Sequence, residues 1–139
     1  SHANKWLLCD VLRNEWGFEG YIVSDCYAIR ELNEREGFFG QHLAENGKQA
    51  AKLAVNTGVN IELPEPDCYP NLVELIKEGT VPESVIDKLV QPMLEWKFKL
   101  GLFDDPYVCP DNAEKVVGCK KNSDLALELE RLTSHRPLR

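Results

Sequence analysis

Two carboxylates in this sequence sit at the ends of short apolar runs, where side chains of an α/β protein can do chemistry. The first is Asp25, which closes the stretch Trp16-Gly17-Phe18-Glu19-Gly20-Tyr21-Ile22-Val23-Ser24-Asp25. A glycine-punctuated loop leads into an apolar strand, and parallel α/β sheets gather their reacting groups at the carboxyl ends of strands. A carboxylate there can act as a nucleophile, accept a phosphoryl group, or cap the turn that starts near Cys26. On position alone, capping is the commonest use. The phospho-acceptor reading fits poorly, because receiver-like folds need five strands and an acidic pair after the first, whereas Asp104-Asp105 falls in a linker. The second carboxylate is Glu62, in Val59-Asn60-Ile61-Glu62-Leu63. Asn60 and Glu62 alternate with apolar residues and so share one strand face. Either could meet a ligand near the top of the strand, but a buried, mutually satisfied polar pair is the commoner outcome.

Other chemistry-bearing residues are less organised. Cys9, Cys26, Cys68, Cys109 and Cys119 are odd in number and widely spaced, without a C-x-x-C pair. His2, His42 and His135 have no motif around them and read as surface residues. A zinc site is unsupported, no metal or cofactor is expected, and free thiols outweigh a disulfide framework.

The elements that must position these groups follow from periodicity. Residues 4–15 carry Trp6, Leu7, Val11 and Leu12 at helical spacing, with Gly17 as a stop. Trp6, Trp16 and Trp96 fit apolar helix faces and read as core. Tyr21-Ile22-Val23 predicts a short buried strand, followed by a helical turn from Tyr27 to Asn33 and a loop at Gly37-Phe38-Phe39-Gly40. A second helix spans Ala44 to Thr57 and closes at Gly58, and Val59–Leu63 forms the second strand, ended by Pro64. A helix over 70–78 stops at Gly79. Thr80-x-x-Glu83 then reads as a capping box opening a long helix to Leu100, with Pro92 inside it as a kink. The Asp104-Asp105-Pro106 and Cys109-Pro110-Asp111 stretches predict an extended, turn-rich exit, and residues 122–133 one last helix.

Helices alternating with strands indicate a parallel sheet built from βαβ crossovers. Two strands cannot close a barrel, which takes eight strands and about 250 residues. The expected fold is therefore α/β: a helix-rich part of a (β/α)₈ TIM barrel containing its last two parallel strands with their helices. Net charge of −7 disfavours a general nucleic-acid or anionic-membrane binder. No apolar run approaches the roughly 20 residues of a membrane span, and the N-terminus lacks the layout of a signal peptide. The chain reads as soluble, with its localisation open.

The wording of several segments adds a resemblance. Ala3-Asn4-Lys5-Trp6-Leu7-Leu8, Asp10-Val11-Leu12-Arg13 and the run ending Val23-Ser24-Asp25 resemble the nucleophile segment of family three glycoside hydrolases, the retaining β-glucosidases and β-xylosidases. Gly58-Val59-Asn60-Ile61-Glu62-Leu63-Pro64 resembles the final barrel strand of that family. Asp67-Cys68-Tyr69-Pro70 with Leu72-Val73-Glu74-Leu75 resembles the helix after it, and Lys97-Phe98-Lys99-Leu100-Gly101-Leu102-Phe103-Asp104-Asp105-Pro106-Tyr107 the exit from the barrel. The similarity runs from about Ala3 to Leu129. There are departures: Asn60 stands where the family commonly has aspartate, Thr57 where it has alanine, and Cys26 where tryptophan or tyrosine is common.

The resemblance implies that residues 1–103 are the C-terminal portion of the barrel domain and residues 104–139 an inter-domain linker and truncated tail. It implies that Asp25 is the nucleophile. Tyr27 and Glu62 are candidate sugar contacts: Tyr27 could stack on a sugar, though packing is the commoner use of such a ring, and Glu62 could hydrogen-bond. The acid/base glutamate and the main sugar-hydroxyl binders of the family are expected outside this chain. The partner implied for the parent enzyme is a β-linked gluco- or xylo-oligosaccharide or an aryl glycoside. The isolated chain is expected to be inactive, with the missing remainder of its own barrel as a possible complement. A non-catalytic α/β structural or interaction module is the alternative. The family is often periplasmic or secreted.

Overall fold

The computed structural model describes residues 1–33 and 40–134, the last of these by backbone alone. Of the predicted Gly37–Gly40 loop, residues 37–39 lie outside the described part. The chain divides into two units, residues 1–100 and residues 101–139.

The first unit opens with a helix at Trp6–Glu15, as the periodicity predicts, but it is π-helical. Trp16 N–H reaches back five residues to the Val11 carbonyl, and Arg13 then clamps the following loop by donating to the carbonyls of Phe18 and Gly20. Gly17 turns the chain there with φ of +65°, a conformation that side-chain-bearing residues resist. β1 (Val23–Cys26) lies further along than Tyr21–Val23, because the strand continues through Ser24 and Asp25. A 3₁₀ turn at Arg30–Leu32 occupies part of the predicted helical turn.

α1 (Gly47–Asn56) is shorter than predicted. Asn46 sets its start by accepting the Gln49 N–H on its side chain, which satisfies one of the free donors of the first turn. β2 (Ile61–Leu63) pairs parallel with β1, Val23 opposite Ile61 and Cys26 opposite Leu63. Three steps along β1 match two along β2, so β1 bulges between these pairs. A cis Leu63–Pro64 bond ends β2. After a 3₁₀ turn at Tyr69–Asn71 come α2 (Leu72–Lys77) and α3 (Glu83–Lys99).

The capping box does not form. Pro82 is the N-cap of α3, and the Thr80 hydroxyl donates to the Leu75 carbonyl, closing α2 behind it. Pro92 lies inside α3, where its missing N–H removes one helix bond.

The core of this unit lies between α1 and the segments around it. Ala50, Ala51 and Ala54 on one face of α1 let Ile29, Leu32, Val59, Leu75 and Val81 approach closely. Trp6, Trp16 and Trp96 are not in that core: they are 64%, 70% and 41% exposed. Helical spacing reports a face but not what covers it: Trp6 and Trp16 are largely open, and the Trp96 ring is met by the Lys99 ammonium 5.2 Å from its centre.

The second unit contains a turn in which Asp104 and Asp105 N–H donate to the Gly101 carbonyl, then α4 (Pro110–Val116) and α5 (Lys120–Ser134). α4 replaces the extended exit predicted there. Pro110 at its first position and Asp111 in its first turn are the signals that mark its start.

Candidate active site

Asp25 reaches the surface by strand alternation, opposite the buried Ser24, at the irregular end of β1. Ser24 is buried, and its hydroxyl donates to the Asp25 carbonyl at 2.8 Å while accepting the Leu63 N–H at 2.9 Å. A side chain thus stands in for a backbone acceptor at the irregular step. Beyond the strand, Tyr27 N–H donates to the Leu63 carbonyl at 2.8 Å and takes φ of +59°, turning the chain sharply. Ala28 N–H closes that turn on the Asp25 carbonyl at 3.2 Å.

The Asp25 side chain is exposed and lines a cleft of about 440 Å³ with Ser1, His2, Asn4, Glu31 and Gln41. Its Oδ1 accepts the N–H of Cys26 at 2.7 Å, an arrangement that orients the carboxylate over its own strand end. Its backbone N–H meets His2 Nε2 at 3.3 Å. Burial, followed by the Ser1 ammonium, pushes the His2 imidazole below its ordinary pKa, against the opposing pull of Asp25 and Glu31. His2, read from sequence as a surface residue, is therefore half-buried and part of the site.

Glu62 has a different fate. It is buried, and its carboxylate accepts the Cys68 N–H at 3.0 Å and the Tyr69 N–H at 2.8 Å. That holds the start of the helical segment after β2, where free N–H groups favour a negative charge. Burial, then the charge of Glu62, pushes the Cys68 thiol up to about 12. The same two causes, in the same order, raise the Tyr69 hydroxyl, which donates to the Val59 carbonyl at 2.6 Å. Asn60 on the same face accepts the Ile22 N–H at 2.7 Å and donates to the Leu89 carbonyl at 2.6 Å, tying β1, β2 and α3 together.

Tyr27 packs its ring beneath the Arg30 guanidinium, 4.2 Å from the ring centre, and Arg30 pairs with Asp67 at 3.3 Å. Of the three residues singled out by sequence, Asp25 lines the cleft, whereas Tyr27 and Glu62 are not among its lining residues. No group of three or more His, Cys, Asp or Glu among the described residues is arranged to hold a metal ion. Ser24, His2 and Glu31 escaped the sequence reading. Only Ser24, inside the V-S-D wording, left a signal there.

A family model described as the glycosyl hydrolase family 3 N terminal domain matches residues 1–95. The chain belongs to glycosyl hydrolase family 3. Similar relatives include a periplasmic β-glucosidase from Salmonella typhimurium, 37% identical over 76% of this chain and 13% of the relative. A xylan 1,4-β-xylosidase from Xylanibacter ruminicola is 33% identical over 91% of this chain and 14% of its own length. Among solved structures, a β-glucosidase from Erythrobacter marinus superposes with a TM-score of 0.78 at 35% identity, covering 90% of this chain and 16% of that one. The chain thus spans about one-seventh of the length of these family 3 relatives. No helix among its described residues is long and apolar enough to cross a membrane.

Proposed function

We propose that this chain carries the nucleophile of a retaining, exo-acting β-glucosidase or β-xylosidase, and that Asp25 is that nucleophile. One observation carries the reading: within the stretch matched by the family, Asp25 is the strand-end carboxylate that opens into a cleft, whereas Glu62 is consumed by the fold. The substrate class is a β-linked gluco- or xylo-oligosaccharide or an aryl glycoside.

In this mechanism an Asp25 oxygen attacks the anomeric carbon as its bond to the leaving oxygen breaks. An acid from elsewhere in the enzyme protonates that oxygen, about 5–5.5 Å separating the two carboxyl groups. Water then cleaves the glycosyl ester and frees Asp25. Ser24 and the Cys26 N–H keep the attacking group oriented before substrate arrives, and such pre-orientation is a large part of catalysis. Glu62 enters as a positioning group, because both its oxygens already hold backbone N–H groups. Tyr27 enters as the residue that turns the chain after β1 and seats Arg30, at the edge of the sugar site.

The two parallel strands and their helices are proposed to be the closing part of a (β/α)₈ barrel. Residues 1–103 would belong to the barrel domain and residues 104–139 to a linker and tail. The exposed Trp6, Trp16 and Phe98 faces support this, since they are apolar surfaces that the remainder of a barrel would cover. Alone, the chain is proposed to be inactive, because a nucleophile without its acid and sugar contacts stabilises little of the transition state.

The test is a graft. Residues 1–100 replace the matching segment of the Salmonella periplasmic β-glucosidase, and the hybrid is treated with a 2-deoxy-2-fluoroglucoside bearing a dinitrophenolate leaving group. Label recovered on the peptide containing Asp25 supports the proposal. An active hybrid labelled on any other carboxylate overturns it.

A further inference from the structure

The backbone around Asp25 is held on two sides by side chains from distant parts of the chain. On its carbonyl side is the Ser24 hydroxyl, bridging to β2. On its amide side is His2, 23 residues away, whose Nε2 faces the Asp25 N–H at 3.3 Å. His2 is itself fixed: its carbonyl lies 2.6 Å from the hydroxyl of Thr57, a buried residue at the end of α1. Thr57 Oγ1 also lies 2.8 Å from the Ala54 carbonyl, so the hydroxyl is anchored in the last turn of α1. A continuous series of polar contacts therefore runs from α1 through Thr57 and His2 to the amide of Asp25.

We infer that His2 is a positioning residue for Asp25, its unprotonated Nε2 accepting the Asp25 N–H and fixing how the carboxylate enters the cleft. The chemistry follows from the donor. A backbone N–H needs a lone pair opposite it, so Nε2 carries no proton and the neutral ring keeps its proton on Nδ1. An imidazolium would present two N–H groups, and the contact would become a clash of donors. Among the described residues, the charged and titratable groups facing the ring are the Ser1 ammonium, Asp25 and Glu31, and burial together with the ammonium outweighs the pull of the two carboxylates. This inference rests on Asp25 being the nucleophile for its functional meaning, but its geometry is testable without catalysis.

The experiment is nitrogen-15 NMR on the full 139-residue chain at pH 7.5, with amide hydrogen exchange read at Asp25. The expected result is a His2 ring with Nε2 at an unprotonated shift and Nδ1 at a protonated one. In His2→Leu, exchange at the Asp25 amide should quicken about tenfold, the loss expected for one neutral hydrogen bond. His2→Gln, which can offer an oxygen at the place of Nε2, should restore most of the protection. A general packing role for His2 would speed exchange in both variants and in the neighbouring amides of Ser24 and Cys26 alike. A ring protonated on Nε2, or an Asp25 amide indifferent to His2→Leu, overturns the inference. Should His2→Leu fail to fold, the tautomer in the unmodified chain still decides.

Discussion

The ends of β1 and β2 present the same chemical group in opposite circumstances. Each strand delivers a carboxylate and each has a cysteine close by, Cys26 next to Asp25 and Cys68 bonded through its amide to Glu62. At β2 the carboxylate is buried and accepts N–H groups from the following turn, so its charge is spent in holding the fold. At β1 the carboxylate lies on the open face, opposite the buried Ser24 that fills the irregular step, and among the described residues it accepts the adjacent Cys26 N–H. The difference teaches that a strand-end carboxylate stays open to a ligand when the described backbone engages one of its oxygens, as at Asp25, rather than both, as at Glu62.

The largest effect that could break this contrast is on activity. In the grafted hybrid, Asp25→Ala is expected to lower kcat by about 10⁴-fold, the scale seen when one member of a catalytic group is removed. Azide should restore turnover by attacking in place of the carboxylate, giving a glycosyl azide of inverted configuration detectable by NMR. Asp25→Ala in the 139-residue chain should change thermal stability by less than about 0.5 kcal/mol, as for an exposed site. A stability loss there matching that of Glu62 variants would erase the distinction.

Next in size is the contrast between the neighbouring thiols. Cys26 is exposed, while Cys68 is buried with its thiol pushed from 9.0 up to about 12. At pH 8 that upward move alone leaves about 10³-fold less Cys68 thiolate than an ordinary thiol has. Iodoacetamide should therefore modify Cys26 in minutes and leave Cys68 intact, as read by peptide mass spectrometry. Comparable rates at both positions would mean that the Glu62 side of the sheet is open. The shift is linked to stability: a raised folded pKa keeps its contribution below pH 9.0 and loses it as pH climbs towards 12.

A third test removes the buried carboxylate. Glu62→Ala strands the N–H groups of Cys68 and Tyr69 and should destabilise the chain by about 3 kcal/mol, measured by urea denaturation. Glu62→Gln keeps an accepting oxygen and should lose roughly half as much. A Glu62→Ala chain as stable as the parent would show that water replaces the carboxylate and that the residue is not spent in holding the fold.

How far the sequence reveals this arrangement depends on which forces act locally. The alternation of helix and strand and the positions of both strands to within a few residues are readable because apolar spacing and glycine stops are local signals. The strand at β1 is misplaced by two to three residues because Ser24 and Asp25 look like strand breakers. Only the structure shows the Ser24 hydroxyl entering the ladder. Thr80 and Glu83 match a capping box in spacing, yet the N-cap of α3 falls on Pro82, and the Thr80 hydroxyl donates back to the Leu75 carbonyl of α2. Trp6, Trp16 and Trp96 were expected in a core because periodicity reports a face and not what covers it. His2 was unreadable for a related reason: its partners, residues 25 and 57, are joined to it only by the fold.

The smallest effect concerns acid, and it separates the two ends once more. His2, on the Asp25 side, has its pKa lowered from 6.5, chiefly by burial. The unfolded chain therefore takes up a proton at that ring at higher pH than the folded chain does. Stability from this residue is fully present above pH 6.5 and is lost as pH falls through the folded pKa below it. Between pH 7.5 and 5.5, above the range in which ordinary carboxylates titrate, the melting temperature should fall gently. His2→Gln, which cannot take up that proton, should flatten the slope in the same window. A slope that survives His2→Gln unchanged would place the acid sensitivity elsewhere and detach His2 from the β1 end.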